Sequence, residues 1–598
     1  MREIDAATIS AAVAKLAVQA CCHLPADVRD AFRQRLDKEP SPVGRNILEQ
    51  LLENADIAAR DDIPICQDTG LAVVFAEVGQ DVHITGGDFE AVLPPDNVDE
   101  WVQDFIYYFD GLCDQDFMEE ILKRSADRLH DYERFGCELF KKEDGSMRYV
   151  PQRGLDHVKL YPAQLKGRGG ELMVKNIVRQ LKQRSVERVG RILLTELLQQ
   201  DGRVCGALGF DTITGGFYRF DARVVIAASG MGGWKTSYGK NTPTGETMQM
   251  AYEAGAVLQN MEFARIWNMP RLFGWEGQTV LMPLGARFVN AAGEPFMERY
   301  SPVLGSNTDP HYTTMAMAME IRAGRGPITF DLSRIQQENL VLLRPQNGWQ
   351  KLNYDKLSAL GLDLFRDSTE WVPQMTVSYG GLRADAWGNT DLEGLLAAGT
   401  ARATEPGVYA GGFAHMAGEN AARLLQTLPK VKNVLSDAEI TAHQQALFAP
   451  LGKEGLTPKE VLTSIQKTVF PYGVSILKNE RSLQAALKEL ERIREEDLPR
   501  MAAADPHYLL KLHETRGVAF VSEMYVRASL ERKETRAGHY REDYPVRDDS
   551  QLAWLCLRKD ADSRPEFFRV PVPLEQYKHP VTRYYQDNFA FPVSEKAG

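Results

Sequence analysis

The chain has 598 residues, 44% apolar and 25% charged, the balance of a soluble protein with several cores, which excludes a disordered, collagen-like or coiled-coil chain. Acidic residues outnumber basic ones by 82 to 70, a net charge of −12, which repels nucleic acid and anionic membrane unless a local basic patch intervenes. No apolar run is long enough to insert in a bilayer.

Met1 to Leu16 carry Glu3 and Asp5 and lack the basic-then-apolar layout of a signal peptide. Seven cysteines, sparse apart from Cys21-Cys22, fit a reducing compartment, so the expected location is cytoplasmic.

The first stretch, 1–92, opens on an amphipathic pattern through Ile4, Ile9, Val13 and Leu16. A second helix runs through Phe32 and a third from Gly44 to Ala58. Leu71–Gly79 then turns strand-like, and Pro94-Pro95 with Asp96, Asp99 and Glu100 forms a seam. Residues 93–265 alternate: helices over Val98–Leu112, Asp116–Phe135 and Leu172–Arg184, then strands over Val189–Leu198, Val204–Asp211 and Gly216–Phe220. Asp201-Gly202 and Gly215-Gly216 are hairpin signals between those strands. Val224–Ser229 is a short continuous apolar run, suited to a strand buried on both faces, and it ends in Gly230-Met-Gly-Gly233.

Residues 266–372 are irregular, with a helix near Thr313–Ala323. Strand-and-glycine character returns over 373–432, where Leu392–Gly399 is a second candidate buried strand. From 433 to 598 the pattern is helical (Ile440–Phe448, Leu483–Ile493, Val518–Leu530), with a polar, Arg-rich tail. The Arg and Glu residues of 484–500 read as a solvated helix face.

In Ile63-Pro-Ile-Cys66-Gln67-Asp68-Thr69-Gly70 a cysteine in a turn offers one soft ligand to a metal, and its neighbours offer polar groups to a small acid. On residue type alone a buried structural cysteine is the commoner reading. Residues 44–90, through this motif and Gly79-Gln-Asp-Val-His-Ile-Thr-Gly-Gly-Asp88, resemble the amino-terminal part of class I fumarases and the tartrate dehydratase alpha chain. The resemblance implies that Cys66 is a ligand of a [4Fe-4S] cluster and that Gln67 and Asp68 lie at a substrate site. It stops at the Pro94-Pro95 seam.

Glycines at the carboxyl end of a buried strand let a cofactor approach the backbone, and the end of Val224–Ser229 is such a place. Val225-Ile-Ala-Ala-Ser-Gly, Thr242-Pro-Thr-Gly-Glu, Ala251–Phe263, Gly293–Tyr300, Gly394–Gly399 and Arg536–Pro545 together resemble the fumarate reductase, succinate dehydrogenase, aspartate oxidase and adenylylsulfate reductase flavoproteins, over about residues 96–560. The resemblance implies FAD, with Ala227, Ala228, Ser229, Gly230 and Gly232 along the cofactor. It puts Thr244, Gly245 and Glu246 near the flavin or its ribityl chain, and 399–420, from Gly399 onward, beside flavin and substrate. Its implied partner is an iron–sulfur protein subunit.

Two departures stand out. No Gly-x-Gly-x-x-Gly occurs in the chain, so the helix-terminus cradle for the pyrophosphate is missing and the fumarase-like stretch occupies its place. The family's substrate histidine corresponds to Thr376, and its arginine before Gly-Ser-Asn falls near Met416. Clamping a carboxylate needs guanidinium or imidazolium groups, and the candidates left are His415, Arg402 and Arg287. His539, in the block Arg536–Pro545, is implied to be structural or at a subunit contact.

The expected fold is therefore an α/β and α+β multidomain protein. Its parts are a fumarase-like, mostly helical segment (1–92), an incomplete Rossmann-like FAD-binding domain (93–265), an inserted capping domain (266–372), the return of the FAD domain (373–432) and a helical carboxyl-terminal domain (433–598). The expected function is an FAD-dependent oxidoreductase transferring a hydride with a small anionic substrate, impaired by the missing phosphate cradle. The alternatives are a fumarate hydratase-like [4Fe-4S] hydro-lyase (lyase) and an inactive chimera of the two.

Overall fold

The computed structural model describes residues 26–61, 88–137, 139, 141–142, 144–162, 169–184, 186–236, 244–272, 278–336, 357–363, 367, 369–403, 410–429 and 435–591. The chain divides into two compact units, 1–80 and 81–598, so the boundary falls ahead of the Pro94-Pro95 seam.

In the first unit helices α1 (Ala26–Lys38) and α2 (Pro42–Asp61) pack on each other, tied by an Arg29–Asp56 ion pair. Ala55 is buried, while Ile47, Leu51 and Ile57 of α2 stay exposed. The expected helix Ile4–Leu16, the strand Leu71–Gly79 and the Cys66-Gln67-Asp68 motif lie outside the described residues.

The second unit begins with β1 (Asp88–Glu90), which joins β3 (Lys159–Pro162) and β2 (Val150–Pro151) in a three-stranded sheet. Helix α3 (Val98–Tyr108) starts at Asn97, whose side chain accepts from Asp99 N at 2.8 Å, and buries Trp101 and Phe105. The single helix expected over Asp116–Phe135 is two, α4 (Gln115–Lys123) and α5 (Ser125–Arg134). The break has a cause in Ser125: its hydroxyl donates to Leu122 O at 2.6 Å and accepts from Val92 N at 2.9 Å, competing with the helix ladder.

After α6 (Gly169–Gln183) come three antiparallel strands, β4 (Ile192–Gln200), β5 (Arg203–Asp211) and β6 (Phe217–Asp221). Asp201 and Gly202 both have positive φ, 53° and 77°, as a tight two-residue hairpin requires. Strand β7 (Val225–Ala227) pairs in parallel with β14 (Leu395–Ala397), Leu395 opposite Val225.

Burial of β7 on both faces does not hold. Ile226 is 39% exposed and Val225 half-buried. Among the described residues β14 is the only strand beside β7.

The region that follows is built on the sheet β10-β11-β12-β9, from β9 (Ala264–Pro270), β10 (Arg287–Val289), β11 (Ile328–Asp331) and β12 (Glu370–Ser378). Against it packs helix α8 (Pro310–Arg322), buried nearly throughout. Asp309 caps α8, accepting from His311 N at 2.8 Å, with Pro310 in the first turn where a missing N–H costs nothing.

The carboxyl-terminal part holds α9 (Ala410–Thr427), α10 (Asp437–Phe448), α11 (Pro458–Val469), α12 (Glu480–Arg492) and the long central α13 (Pro506–Glu531). The polar, Arg-rich segment after α13 is folded. Strands β15 (Ala553–Lys559) and β16 (Pro565–Pro571) extend a sheet with β8 (Leu258–Gln259) and β13 (Gly381–Leu382). Arg532, Arg536 and Arg541 are buried because each guanidinium has a carboxylate, respectively Glu262, Glu534 and Asp543. Buried charge is tolerated when paired this way.

Candidate functional site

The parallel strands β7 and β14 end side by side, and the chain leaves β7 through Ala228, Ser229 and Gly230. Ala228 and Ser229 are exposed. Gly230 has φ +84°, and a Cβ there would find only Thr400 Oγ1 within 4 Å, at 3.7 Å. These residues form an open ledge with no side chain larger than serine. Gly399, with φ +59°, begins the turn after β14.

The loop beyond the ledge is stitched to the cap sheet. Ser378 N donates to Gly232 O at 2.8 Å, and Trp234 N donates to Thr376 O at 3.1 Å. The Thr376 hydroxyl donates to Arg265 O at 3.1 Å. Through these bonds β12 and its partner β9 hold Arg265 and Trp267 one strand away from the ledge.

There two guanidinium groups meet one indole. Arg265 lies 4.2 Å and Arg153 5.9 Å from the Trp267 ring centre. The Trp267 Nε1 is buried and has no hydrogen-bond partner. Behind Arg153 sits Asp309, buried, accepting from the Tyr108 hydroxyl and lying 2.6 Å from His311 Nδ1. Burial would push the Asp309 carboxyl up, but the charges and hydrogen bonds of His311, then Arg153, hold it below the usual carboxylate range. Burial pulls the Arg153 pKa down, and Asp309 opposes it. Two guanidinium groups on one indole give this corner the fork geometry that a small anion can accept from.

Sequence reasoning did not find Arg153, Arg265, Asp309 or His311; the unread signal that could have placed the last two is Asp309-Pro310, a helix-start pair ahead of the expected Thr313–Ala323 helix. The three residues it proposed as catalytic are not brought together. Arg287 pairs across the sheet with Asp331, Nε to Oδ2 at 2.7 Å. Arg402 is buried, with bonds to Ala384 O, Ala403 O and Asp114 Oδ2. His415 lies on α9; it is 39% exposed, with Nδ1 3.7 Å from Glu419. Thr376 and Met416 are both buried and uncharged.

The other proposed cofactor residues divide. Ala227, Ala228, Ser229, Gly230 and Gly399 lie at the ledge. Gly232 and Gly245 instead face helix α13, where an added Cβ would come 2.6 Å and 2.4 Å from Val521 Cγ2. Glu246 opens α7 (Glu246–Glu253) and takes the Thr244 hydroxyl at 2.6 Å. Burial pushes its carboxyl up, against that hydrogen bond.

The ledge suits the flavin end of FAD, since its small, exposed residues let a flat ring approach the backbone. The pyrophosphate end finds no such fit among the described residues. The first turn of α7 is covered by α13, where a Cβ on Gly517 would come 2.8 Å from Glu246 N, so those N–H groups do not face a phosphate. Of the cysteines, Cys113, Cys137, Cys205 and Cys556 are all buried. Burial pushes the thiols of Cys137 and Cys205 up, and that of Cys556 to about 12; Cys66 lies outside the described residues.

Comparison with known proteins agrees with this architecture. A family model described as FAD binding domain matches residues 66–418, one described as Fumarate reductase flavoprotein C-term matches 465–585, and one described as Fumarate hydratase (Fumerase) matches 10–95. A fumarate reductase (CoM/CoB) chain of Methanothermobacter marburgensis is 25% identical over 496 residues, 79% of this chain and 88% of that protein. The fumarate reductase flavoprotein subunit of Mycobacterium tuberculosis is 27% identical over 549 residues, 83% of this chain and 91% of that protein. In fold, E. coli quinol fumarate reductase FrdA superposes with a TM-score of 0.75 at 20% identity, over 85% of this chain and 92% of that one. Adenylylsulfate reductase of Archaeoglobus fulgidus gives 0.67 at 20% identity, over 82% and 88%. The chain therefore belongs to the FAD-binding-domain family and is built as a flavoprotein subunit of the fumarate reductase and succinate dehydrogenase type.

Proposed function

We propose that this chain is the FAD-bearing subunit of an oxidoreductase whose substrate is a small anion of the kind named for its relatives, fumarate or succinate. The observation that carries the reading is the pair Arg153 and Arg265 around Trp267, one strand from the open ledge. Ala227 to Gly230, Gly399 and Thr400 would hold the flavin end. FAD, when bound, supplies the acceptor or donor for a hydride. Arg153 and Arg265 would draw the anion and fix its orientation, with the Trp267 N–H as a third donor. Asp309 keeps Arg153 and His311 in place. His415, the most accessible of the three proposed catalytic residues, is a candidate to deliver a proton. An iron–sulfur protein subunit would take the electrons onward, and a reducing, cytoplasmic setting suits the buried free thiols.

The test is a titration of the purified chain with FAD followed by visible absorbance, then reoxidation of the reduced, flavin-loaded protein by fumarate. Uptake of flavin is expected, together with an apparent fumarate affinity at least tenfold, about 1.4 kcal/mol, weaker in Arg265→Gln. A protein that takes up no FAD overturns the reading.

A second reading is supported by the fumarase match over 10–95 and by the absence of Gly-x-Gly-x-x-Gly from the sequence; among the described residues β7 has one strand neighbour and no pyrophosphate cradle is seen. In it the fumarase-like stretch has displaced the first FAD-binding unit and leaves an inactive chimera. A hydro-lyase centred on Cys66 would need further thiolates, and burial raises the thiols of Cys137, Cys205 and Cys556. The same titration separates these readings: yellow, brown or colourless protein.

A further inference from the structure

A cavity of about 650 Å³ opens between α7, α12 and α13, away from the ledge. That volume suits a drug-sized organic molecule. Part of its wall is apolar, from Leu490, Ala519, Phe520, Met524 and Pro565. The rest is charged, and nearly all of that charge is already matched. Arg494 pairs with Glu523, Arg527 with Glu491 at 2.7 Å, and Glu253 with Lys559 at 3.1 Å. Arg564, at the rim, pairs with Asp562.

Arg516 is the exception. It lines this cavity and also a neighbouring one of about 310 Å³. Among the described residues no carboxylate lies within ion-pair reach of it, and burial alone pulls its pKa down. A half-buried guanidinium without a counter-ion is costly, so a site that keeps one is poised for an anion. A second observation points the same way. Tyr252, 4% exposed and on the cavity wall, has a buried hydroxyl without a hydrogen-bond partner. Burial pushes that hydroxyl up to about 12, so it stays a donor.

We propose that this cavity binds an organic monoanion with a compact aromatic or aliphatic body and one carboxylate. The carboxylate pairs with the Arg516 guanidinium and takes the Tyr252 hydroxyl as a further donor, while the body lies against Phe520, Leu490 and Met524. The wall selects for a single charge. Glu253, Glu491 and Glu523 are balanced by their own partners, leaving one unmatched cation, so a dianion would bring a carboxylate too many.

The probe is 2-naphthoate, titrated calorimetrically into the full chain without added FAD, so that the result is independent of the flavin reading. Saturable binding at one site per chain is expected, with 2-naphthamide, which lacks the charge, at least tenfold weaker. Arg516→Gln should weaken 2-naphthoate at least tenfold and Tyr252→Phe by a few-fold, while Arg219→Gln, on the distant β6 hairpin, should change nothing. Because Arg516→Gln removes an unmatched buried charge, its melting temperature should equal or exceed that of the parent chain. Arg516→Lys, which keeps the charge and loses the fork, should fall between the two in affinity. Absence of saturable binding to the parent chain, or equal affinity in Arg516→Gln, would overturn the proposal; so would 2-naphthamide binding as well as the acid.

Discussion

Lys478 Nζ stands 2.9 Å from His539 Nδ1, with both side chains buried. The ammonium has three donors, and its other two contacts are Glu262 O at 2.9 Å and Ser529 Oγ at 3.2 Å. Burial lowers the Lys478 pKa as well; with Lys478 protonated, the imidazole accepts at Nδ1 and carries its own proton on Nε2, which faces Arg532 O at 3.3 Å. Burial first, then the Lys478 charge, holds the His539 pKa well below 6.5. This pair anchors the Arg536–Pro545 block to the flavoprotein core through Glu262.

His539 makes the fold sensitive to acid. A base with a depressed folded pKa gives stability that is complete above its unfolded value, near 6.5, and is lost as pH falls toward the folded value, because the unfolded chain binds the extra proton. His539→Gln keeps an acceptor for Lys478 and does not titrate. Urea unfolding at a series of pH values should show a shallower loss of stability for this variant below roughly pH 6. Near neutrality it should cost about 1–2 kcal/mol for imperfect hydrogen bonding. Parallel curves for the two proteins would mean that His539 does not drive the acid transition.

Gly232 and Gly245 owe their identity to Val521 on α13. An added Cβ would come 2.6 Å from Val521 Cγ2 at Gly232 and 2.4 Å at Gly245, where φ is also +103°. Gly232→Ala should cost about 1–3 kcal/mol by overpacking, and Val521→Ala should restore most of it. Gly245→Ala should resist the same rescue, since its backbone strain persists after the clash is relieved. Denaturant midpoints of the two double-mutant cycles measure the difference.

That contrast shows where the sequence was legible and where it was not. Local chemistry was readable. Asp201-Gly202 announced its hairpin, the helix expected near Thr313–Ala323 is α8, starting three residues earlier, and the β4, β5 and β6 strands fell close to their expected positions. Relations between distant segments were not. Nothing near Gly232 indicates that α13, nearly three hundred positions on, presses against it, so its glycine read as a cofactor approach. The Arg-rich segment after α13 read only as a polar tail because Glu262, which pairs with Arg532, is remote in the chain, although Glu534 and Asp543 lie two residues from Arg536 and Arg541. Val224–Ser229 read as doubly buried because continuous apolar runs usually have both sheet faces covered, whereas Ile226 is 39% exposed. Arg153 and Arg265 escaped notice for a similar reason: lone arginines in a sequence look like surface, and only the fold puts Trp267 between them.

Arg402 and Arg287 should respond very differently to removal. Arg402 is 3% exposed and its guanidinium bonds Ala384 O, Ala403 O and Asp114, so Arg402→Met should cost about 3–5 kcal/mol by leaving Asp114 and two carbonyls unmatched. Arg287 forms a cross-strand pair with Asp331, each side chain about one-fifth exposed, so Arg287→Gln should cost about 0.5–1 kcal/mol. If Arg287 is only a strand-pairing residue, Arg287→Gln also leaves substrate turnover unchanged. A large fall in turnover with stability intact would return Arg287 to the catalytic machinery.

Asp309 joins three elements that the substrate corner needs fixed: Tyr108 from α3, His311 from α8 and, by charge, Arg153. Asp309→Asn keeps the shape but removes the charge that offsets Arg153, and it should destabilise the chain by about 2–4 kcal/mol. Arg153→Met alone should do likewise, because it leaves Asp309 with one counter-charge fewer. If the two act as a unit, the double variant loses less than the sum of the single losses, by about 1–3 kcal/mol. Strict additivity in urea unfolding would mean that Arg153 is held without help from the Asp309 charge. In that case Asp309→Asn should leave the anion affinity of the Arg153–Arg265 corner unaltered, whereas coupled residues should show the affinity rising as the opposing carboxylate is removed.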